Sequence, residues 1–273
     1  MSTRLSDYDF ELPESLIAQA PAEPRDTSRL LVVDRARGKI AHHQFLDLPA
    51  FLHAGDLMVA NNTRVLRARL LGQRILPNGE RGGRVEFLML ERVGPRAWEG
   101  LMKASAKYLP GLEFEVPVPA LSGVAGSAGQ FIRGRLVRGA IPGAQPTVVA
   151  EFDRDPVEAG AGELPLPPYI AGDLAQAEAS YQTIYAQAEP GSAAAPTAGL
   201  HFTPRVFEAL RARGVDWAEV TLDVGLGTFR PVKSDDIRAH AMHAERYGIS
   251  EAGARQIQAA RAEGRRIVAV GTT

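Results

Sequence analysis

From about residue 68 to about residue 153 the chain carries short β-prone runs and no helical period. Residues 84–93 alternate, with Val85, Phe87 and Met89 set against Glu86, Leu88 and Leu90, and further runs follow at 114–116, 131–137 and 147–152. Glycine and proline separate them, at Pro110-Gly111, Pro117, Pro119, Gly123, Gly126, Gly129, Pro142-Gly143 and Pro146. Many short strands with turn signals between them predict a small antiparallel barrel or sandwich.

The flanks differ. Residues 30–34 and 40–45 surround an Arg37-Gly38-Lys39 turn and predict a hairpin. Residues 48–52 predict a helical turn. A strand over 55–60 ends in Asn61-Asn62-Thr63-Arg64. Beyond the β module, Leu164-Pro165-Leu166-Pro167-Pro168-Tyr169-Ile170 is stiff and extended, and 177–188 is compatible with a helix. Thr203-Pro204 predicts a helix start, with Val206, Phe207 and Leu210 at helical spacing and Gly214 as its stop. A strand over 215–224, a helix capped by Ser250 and a strand over 267–270 complete an α/β pattern with parallel pairing. The expected organisation is a large α/β domain (1–67 and 154–273) interrupted by the β module (68–153). The sequence stops at Gly271-Thr272-Thr273, directly after a strand, where a parallel sheet ordinarily continues with a covering helix. It reads as a chain without its C-terminal remainder.

Composition excludes several classes. The formal net charge is −1, so contact with nucleic acid would have to be a local patch. The absence of cysteine rules out disulfides, thiolate nucleophiles and Cys-based zinc sites, and fits a reducing cytoplasm. Residues 2–14 lack an apolar signal core, and no apolar run approaches the ~20 residues of a membrane span.

The candidate site centres on residues 190–204, a Gly/Ala/Pro stretch leading through Gly199 to His201 and Phe202 just before a helix N-terminus. Glycine permits close ligand approach, and helix N-termini favour anions; a plain flexible linker is the competing reading. Asn61, Asn62 and Arg64 stand at a strand's carboxyl end, where α/β domains bind ligands, or form an Asn-rich turn. Gly225 and Gly227 make either a nucleotide loop or a tight turn. His240, His243 and Glu245 outline a metal triad, although capping histidines are the commoner case. Arg67, Arg69, Arg74, Arg81 and Arg84, with Arg133, Arg135 and Arg138 later in the module and with Lys103, Lys107 and Tyr108, make either an RNA-facing surface or a solvated one.

Several stretches carry a resemblance: Asp7-Tyr8-Asp9-Phe10, Ser28-Arg29-Leu30, Asn61-Asn62-Thr63-Arg64-Val65, Pro165-Leu166-Pro167-Pro168-Tyr169-Ile170, Tyr181-Gln182-Thr183, Ala195-Pro196-Thr197-Ala198-Gly199-Leu200-His201-Phe202-Thr203, Gly225-Leu226-Gly227-Thr228-Phe229-Arg230-Pro231 and Val270-Gly271-Thr272-Thr273. With these the chain resembles the S-adenosylmethionine:tRNA ribosyltransferase-isomerases from its first residues to its last. The resemblance implies an α/β domain with an inserted small β-barrel, and a reaction without metal. The ribosyl part of S-adenosyl-L-methionine, as co-substrate, would move to 7-aminomethyl-7-deazaguanine at the tRNA wobble position. The products would be epoxyqueuosine, adenine and methionine. A cytoplasmic monomer is expected. The chemistry needs a base beside the sulfonium and a proton donor for adenine. Residue chemistry nominates His201, His243 and Glu245, in that order. Asn61, Asn62 and Arg64 would hold a polar edge. Gly225, Gly227, Thr228 and Phe229 would accommodate a nucleoside, Tyr181 and Gln182 the modified base, and Thr197, Gly199 and Phe202 would also bind substrate. Asp223 stands where the family pattern Thr-Leu-His-Val-Gly has histidine, and a carboxylate there is a further candidate base. A non-catalytic tRNA-binding remnant of the same family is the rival reading.

Overall fold

The computed structural model describes residues 2–105, 107, 109–119, 130–140, 147–166, 170, 180–187, 190–225, 232, 234–240 and 245–271. The chain forms two compact units, Met1–Arg64 with Leu166–Thr273, and Val65–Pro165. No helix among the described residues is long and apolar enough to cross a membrane.

The second unit is a closed six-stranded antiparallel barrel. Its strands run Val148–Phe152, Ala97–Ala104, Arg81–Gly94, Arg69–Ile75, Glu113–Pro117 and Phe131–Arg138, and the last pairs back onto the first. Closure follows from period-two burial: Leu70, Phe87, Met89, Phe114, Ile132, Leu136 and Phe152 all point inward. The rings of Phe87, Phe114 and Phe152 meet in a trio with centroids 5.8–6.1 Å apart. Gly134 makes room for them, since a Cβ there would lie 2.5 Å from Phe114 and 2.8 Å from Phe152.

Two of the six strands carry little β signal in the sequence. Arg69–Ile75 has Ile75 as its one β-branched residue, and Ala97–Ala104 has only Trp98 among helix formers and glycine. Both are strands because the barrel needs their inward positions, Leu70 in one and Trp98 and Met102 in the other. Residues 154–165 fall in the barrel unit rather than in the α/β domain expected from the sequence. The buried Asp155 carboxylate explains this, accepting from Trp98 Nε1 and Arg92 Nη2 at 3.0 Å each and from the backbone N–H of Val157. Glu163 is tied to Arg69 by reciprocal backbone hydrogen bonds of 2.9 and 3.1 Å.

The first unit is layered. Its sheet runs Arg246–Gly248, Asp216–Asp223, Leu57–Asn61, Ile267–Val270, parallel except at the first, antiparallel edge. Alternation sends Met58, Ala60 and Trp217 to one face. There they pack with Phe45, Leu52 and Phe202, and with Val206 and Leu210 of the helix Pro204–Ala212. Leu57 and Ala218 face the other way, onto Ala260 of the helix Glu251–Ala262. Ser250 caps that helix by accepting from the Gly253 N–H at 3.1 Å. The predicted hairpin forms between Arg29–Asp34 and Lys39–Gln44. Of the expected 177–188 helix, residues 177–179 and 188 lie outside the described residues, and 181–187 form bends and turns.

Candidate active site

Parallel pairing aligns Val220 with Asn61 and Val270 with Ala60, so the carboxyl ends of three strands open on one side of the sheet. Crevices beyond such ends are where α/β sheets bind ligands. The strand Asp216–Asp223 alternates there: Trp217, Glu219, Thr221 and Asp223 share one face. Asn62 joins this row. Its Nδ2 donates to Glu219 Oε2 at 3.0 Å, and its Oδ1 accepts from Thr221 Oγ1 at 2.7 Å. The second Glu219 oxygen accepts from Trp217 Nε1 at 3.1 Å. The half-buried carboxylate is thus oriented by two neutral donors.

A second cluster lies beside it. The fully buried hydroxyls of Thr63 and Ser192 are 2.8 Å apart. Ser192 Oγ also accepts from the Val224 N–H at 2.8 Å, and Thr63 Oγ1 donates to Asp223 Oδ1 at 3.4 Å. Gly191 passes against this carboxylate, 2.8 Å from Asp223 Oδ1 at the position of a missing Cβ. Glycine is required there by close approach.

The loop before the helix Pro204–Ala212 supplies the histidine. A 3-10 turn, Thr197–His201, brings Ala198 to 3.7 Å from the Cβ position of Gly271 at the end of the strand Ile267–Val270. Burial holds the His201 imidazole below its ordinary value; a hydrogen bond with the Arg25 backbone opposes this, and the Arg25 guanidinium charge adds to the lowering. His201 is therefore neutral near pH 7 and able to accept a proton. Its ring lies 5.3 Å from Phe45. Arg25 Nη1 donates to the Gln182 carbonyl at 2.8 Å, which brings the 180–187 segment alongside.

Thr203 does not cap the following helix through its side chain. Its hydroxyl donates instead to the buried Asp26, which Arg205 also grips with two guanidinium nitrogens, Nε at 2.5 Å. The Arg205 hydrogen bonds hold the Asp26 carboxyl below the usual range, against burial, and the Thr203 bond assists. This pair pins the start of the helix, and with it the position of His201.

The expected residues divide. Asn62, Asp223, Gly199 and His201 lie in this carboxyl-end region. Asn61 is buried and bound at 3.0 Å to the Leu222 N–H, the Leu222 carbonyl and the Thr63 N–H, so its amide holds the strand pair together. Arg64 donates to the Ala186 carbonyl at 2.6 Å. Phe202, expected against a substrate, is instead core, fully buried among Phe45, Tyr185, Phe207 and Trp217. Tyr181 is buried, Gln182 half-buried and Thr197 exposed. Glu245 is exposed and accepts from the Gly225 N–H at 2.9 Å. His243, Gly227, Thr228 and Phe229 lie outside the described residues.

Sequence reasoning missed Glu219, Thr63, Ser192, Asp26, Thr183 and Tyr185. Glu219 was open to discovery, because period two along the strand Asp216–Asp223 sets it on one face with Thr221 and Asp223. The Tyr185 and Thr183 hydroxyls are buried and make no hydrogen bond among the described residues, and both side chains press on Gly199. Burial, with the Glu219 charge adding to it, pushes the Tyr185 phenol well above its ordinary value.

The model of the family described as queuosine biosynthesis protein matches residues 5–273. The S-adenosylmethionine:tRNA ribosyltransferase-isomerase of Moorella thermoacetica is 47% identical over 276 residues, covering 99% of this chain and 75% of that protein. The protein of the same name from Anaeromyxobacter dehalogenans is 49% identical over 277 residues, covering 99% and 74%. A crystal structure of S-adenosylmethionine tRNA ribosyltransferase from Thermotoga maritima is 28% identical, covering 96% of this chain and 68% of that one, with a TM-score of 0.40. Near-complete coverage at such identity makes this chain a member of the queuosine biosynthesis family of S-adenosylmethionine:tRNA ribosyltransferase-isomerases.

Proposed function

We propose that the chain transfers the ribosyl part of S-adenosylmethionine to the aminomethyl group of 7-aminomethyl-7-deazaguanine at the tRNA wobble position. Epoxyqueuosine would be formed in the tRNA, with adenine and methionine released. The observation that carries this reading is a half-buried histidine on the 3-10 turn whose Ala198 approaches Gly271, at the end of the parallel strand Ile267–Val270; burial lowers the affinity of its imidazole for a proton. A neutral imidazole suits removal of the proton beside a sulfonium. In this scheme His201 takes that proton, and departing adenine takes one from an acid, for which His243 and Glu245 are the candidates. Asp223 is the alternative carboxylate base. Glu219, held among the described residues by neutral donors, leaves its negative charge to the sulfonium or to the aminomethyl ammonium. No metal enters the scheme, and the chain would act as a cytoplasmic monomer.

The test is adenine release by the purified chain given S-adenosylmethionine and an anticodon stem-loop carrying the aminomethyl-deazaguanine. Release that needs both substrates, and falls by about 10²-fold or more in His201→Ala, is expected. Binding of the stem-loop without release would instead favour a non-catalytic remnant. Full turnover in His201→Ala would remove the histidine from its role.

A further inference from the structure

The barrel carries a concavity of about 710 Å³ on the side of its strands away from the core. Cross-strand register builds it: Gln73 stands opposite both Glu115 and Arg84, and Glu86 opposite both Leu71 and Lys103. Three cations line it, Arg69, Arg84 and Lys103, and Arg81 reaches one of its carboxylates; the structure separates the four into two kinds. Arg69 is committed to Glu86, with Nε 3.1 Å from Oε1, and Arg81 to Glu115. Arg84 is exposed and makes no ion pair or hydrogen bond among the described residues. Lys103 is 83% exposed, with its amine a loose 3.8 Å from a carboxylate that Arg69 already holds. Both carboxylates of the concavity are thus occupied, and two cations remain to face an outside anion. The guanidinium of Arg81 also lies over the Phe131 ring, 4.8 Å from its centroid. A guanidinium–aromatic stack is the kind of platform on which nucleobases rest.

We propose that this concavity binds the phosphodiester backbone of the tRNA substrate, with Arg84 and Lys103 as its phosphate contacts. The proposal rests on the reading that tRNA is what this chain acts on. The combination of exposed cations and a flat ring fits a nucleic-acid strand, since phosphates take the charges and a base takes the platform. A chain with a net charge of −1 has no bulk attraction for RNA, so such a patch would carry much of its affinity.

The experiment measures tRNA binding by fluorescence anisotropy over a salt series, without S-adenosylmethionine. The wild type is compared with Arg84→Glu/Lys103→Glu and with Arg133→Glu/Arg135→Glu, an equal charge change on exposed barrel positions that do not line the concavity. The first pair should raise Kd about tenfold near 0.1 M salt. It should also flatten the log Kd against log salt slope by about 1.4, two contacts at ~0.7 each. The second pair should stay within about twofold of wild type. The single neutral variants Arg84→Gln and Lys103→Gln, each expected to remove about half of that slope change, serve if the charge reversal disturbs folding. Unchanged Kd in the first pair, equal weakening in both pairs, or no tRNA binding by the wild type would each overturn the proposal. Absence of adenine release with this binding pattern intact would remove the catalytic reading alone. Normal release with Kd unchanged would remove the concavity alone.

Discussion

Gly199→Ala places a methyl group where the structure has a phenol. The new Cβ would lie 2.0 Å from Tyr185 Oη, 2.9 Å from Thr183 Cγ2 and 3.0 Å from Tyr185 Cζ. Atoms cannot share that space, so either the 3-10 turn or the tyrosine must move. Tyr185 is anchored by edge-to-face contacts with Phe202, Phe207 and Trp217, at 6.0, 6.0 and 5.1 Å. Overpacking of this kind costs about 1–3 kcal/mol, and each loosened ring contact about 0.5–1.5 kcal/mol, so a loss of about 2–4 kcal/mol is expected. Tyr185→Phe removes the oxygen at 2.0 Å, an oxygen that makes no hydrogen bond among the described residues. Alone it should leave stability unchanged or slightly raised, because no bond is broken. In the Gly199→Ala background it should restore about 1–2 kcal/mol. The assay is a double-mutant cycle from urea unfolding followed by tryptophan fluorescence, with Trp217 in the cluster as reporter. Additivity within about 0.5 kcal/mol would refute the reasoning, as would a Gly199→Ala protein as stable as wild type.

Asp26→Asn should destabilise by about 2–3 kcal/mol at pH 7, since charge-assisted bonds from Arg205 become neutral ones. The Asp26 carboxyl is held below its ordinary value, so its contribution is complete above about pH 4 and is lost as pH falls through the folded-state value. Asp26→Asn should therefore flatten the acid limb of stability against pH, read as urea midpoints between pH 2 and 7. Gly134→Ala should cost the barrel about 1–3 kcal/mol by driving a methyl into Phe114 and Phe152, visible as a lowered Tm; an unchanged Tm would contradict the packing described. Adenine release, if His201 acts as a free base, should keep its rate as pH falls toward 6.5 and lose it below, because that imidazole titrates under its ordinary value. A pH–rate limb above 7 would count against that role. Glu219→Gln should weaken binding of a cationic substrate group about tenfold, its single carbonyl oxygen keeping one of the two donors, Asn62 or Trp217, as read from KM against kcat.

Much of the barrel was legible because alternation is a local signal. Residues 84–93 announce their strand by themselves, whereas Arg69–Ile75 and Ala97–Ala104 become strands only through neighbours that the sequence does not place beside them. The site divides in the same way. Glycine and proline around His201 mark an irregular, close-packed turn from composition alone. The partners that give the region its chemistry are remote: Thr63 meets Ser192 across 129 positions, and Asp26 meets Arg205 across 179. Such pairs leave no trace in local propensity. Thr203 shows the cost of purely local reasoning, since a residue ideal for capping gives its hydroxyl to Asp26. Phe202 shows it again, since an aromatic beside a candidate catalytic histidine serves the core.

The backbone bridge between Arg69 and Glu163 has a consequence for how so long an excursion is tolerated between residues 64 and 166. It joins the first strand of the barrel, Arg69–Ile75, to the segment that follows the last one, a few residues from where the chain enters and leaves. Once the barrel has closed, its two ends are stapled together, and the rest of the chain experiences it as a short loop. The entropy of joining distant ends grows only as the logarithm of loop length, and here the barrel's own hydrogen bonds supply that closure. A change in the length of such an insert therefore adds little to the entropy of closing the chain around it.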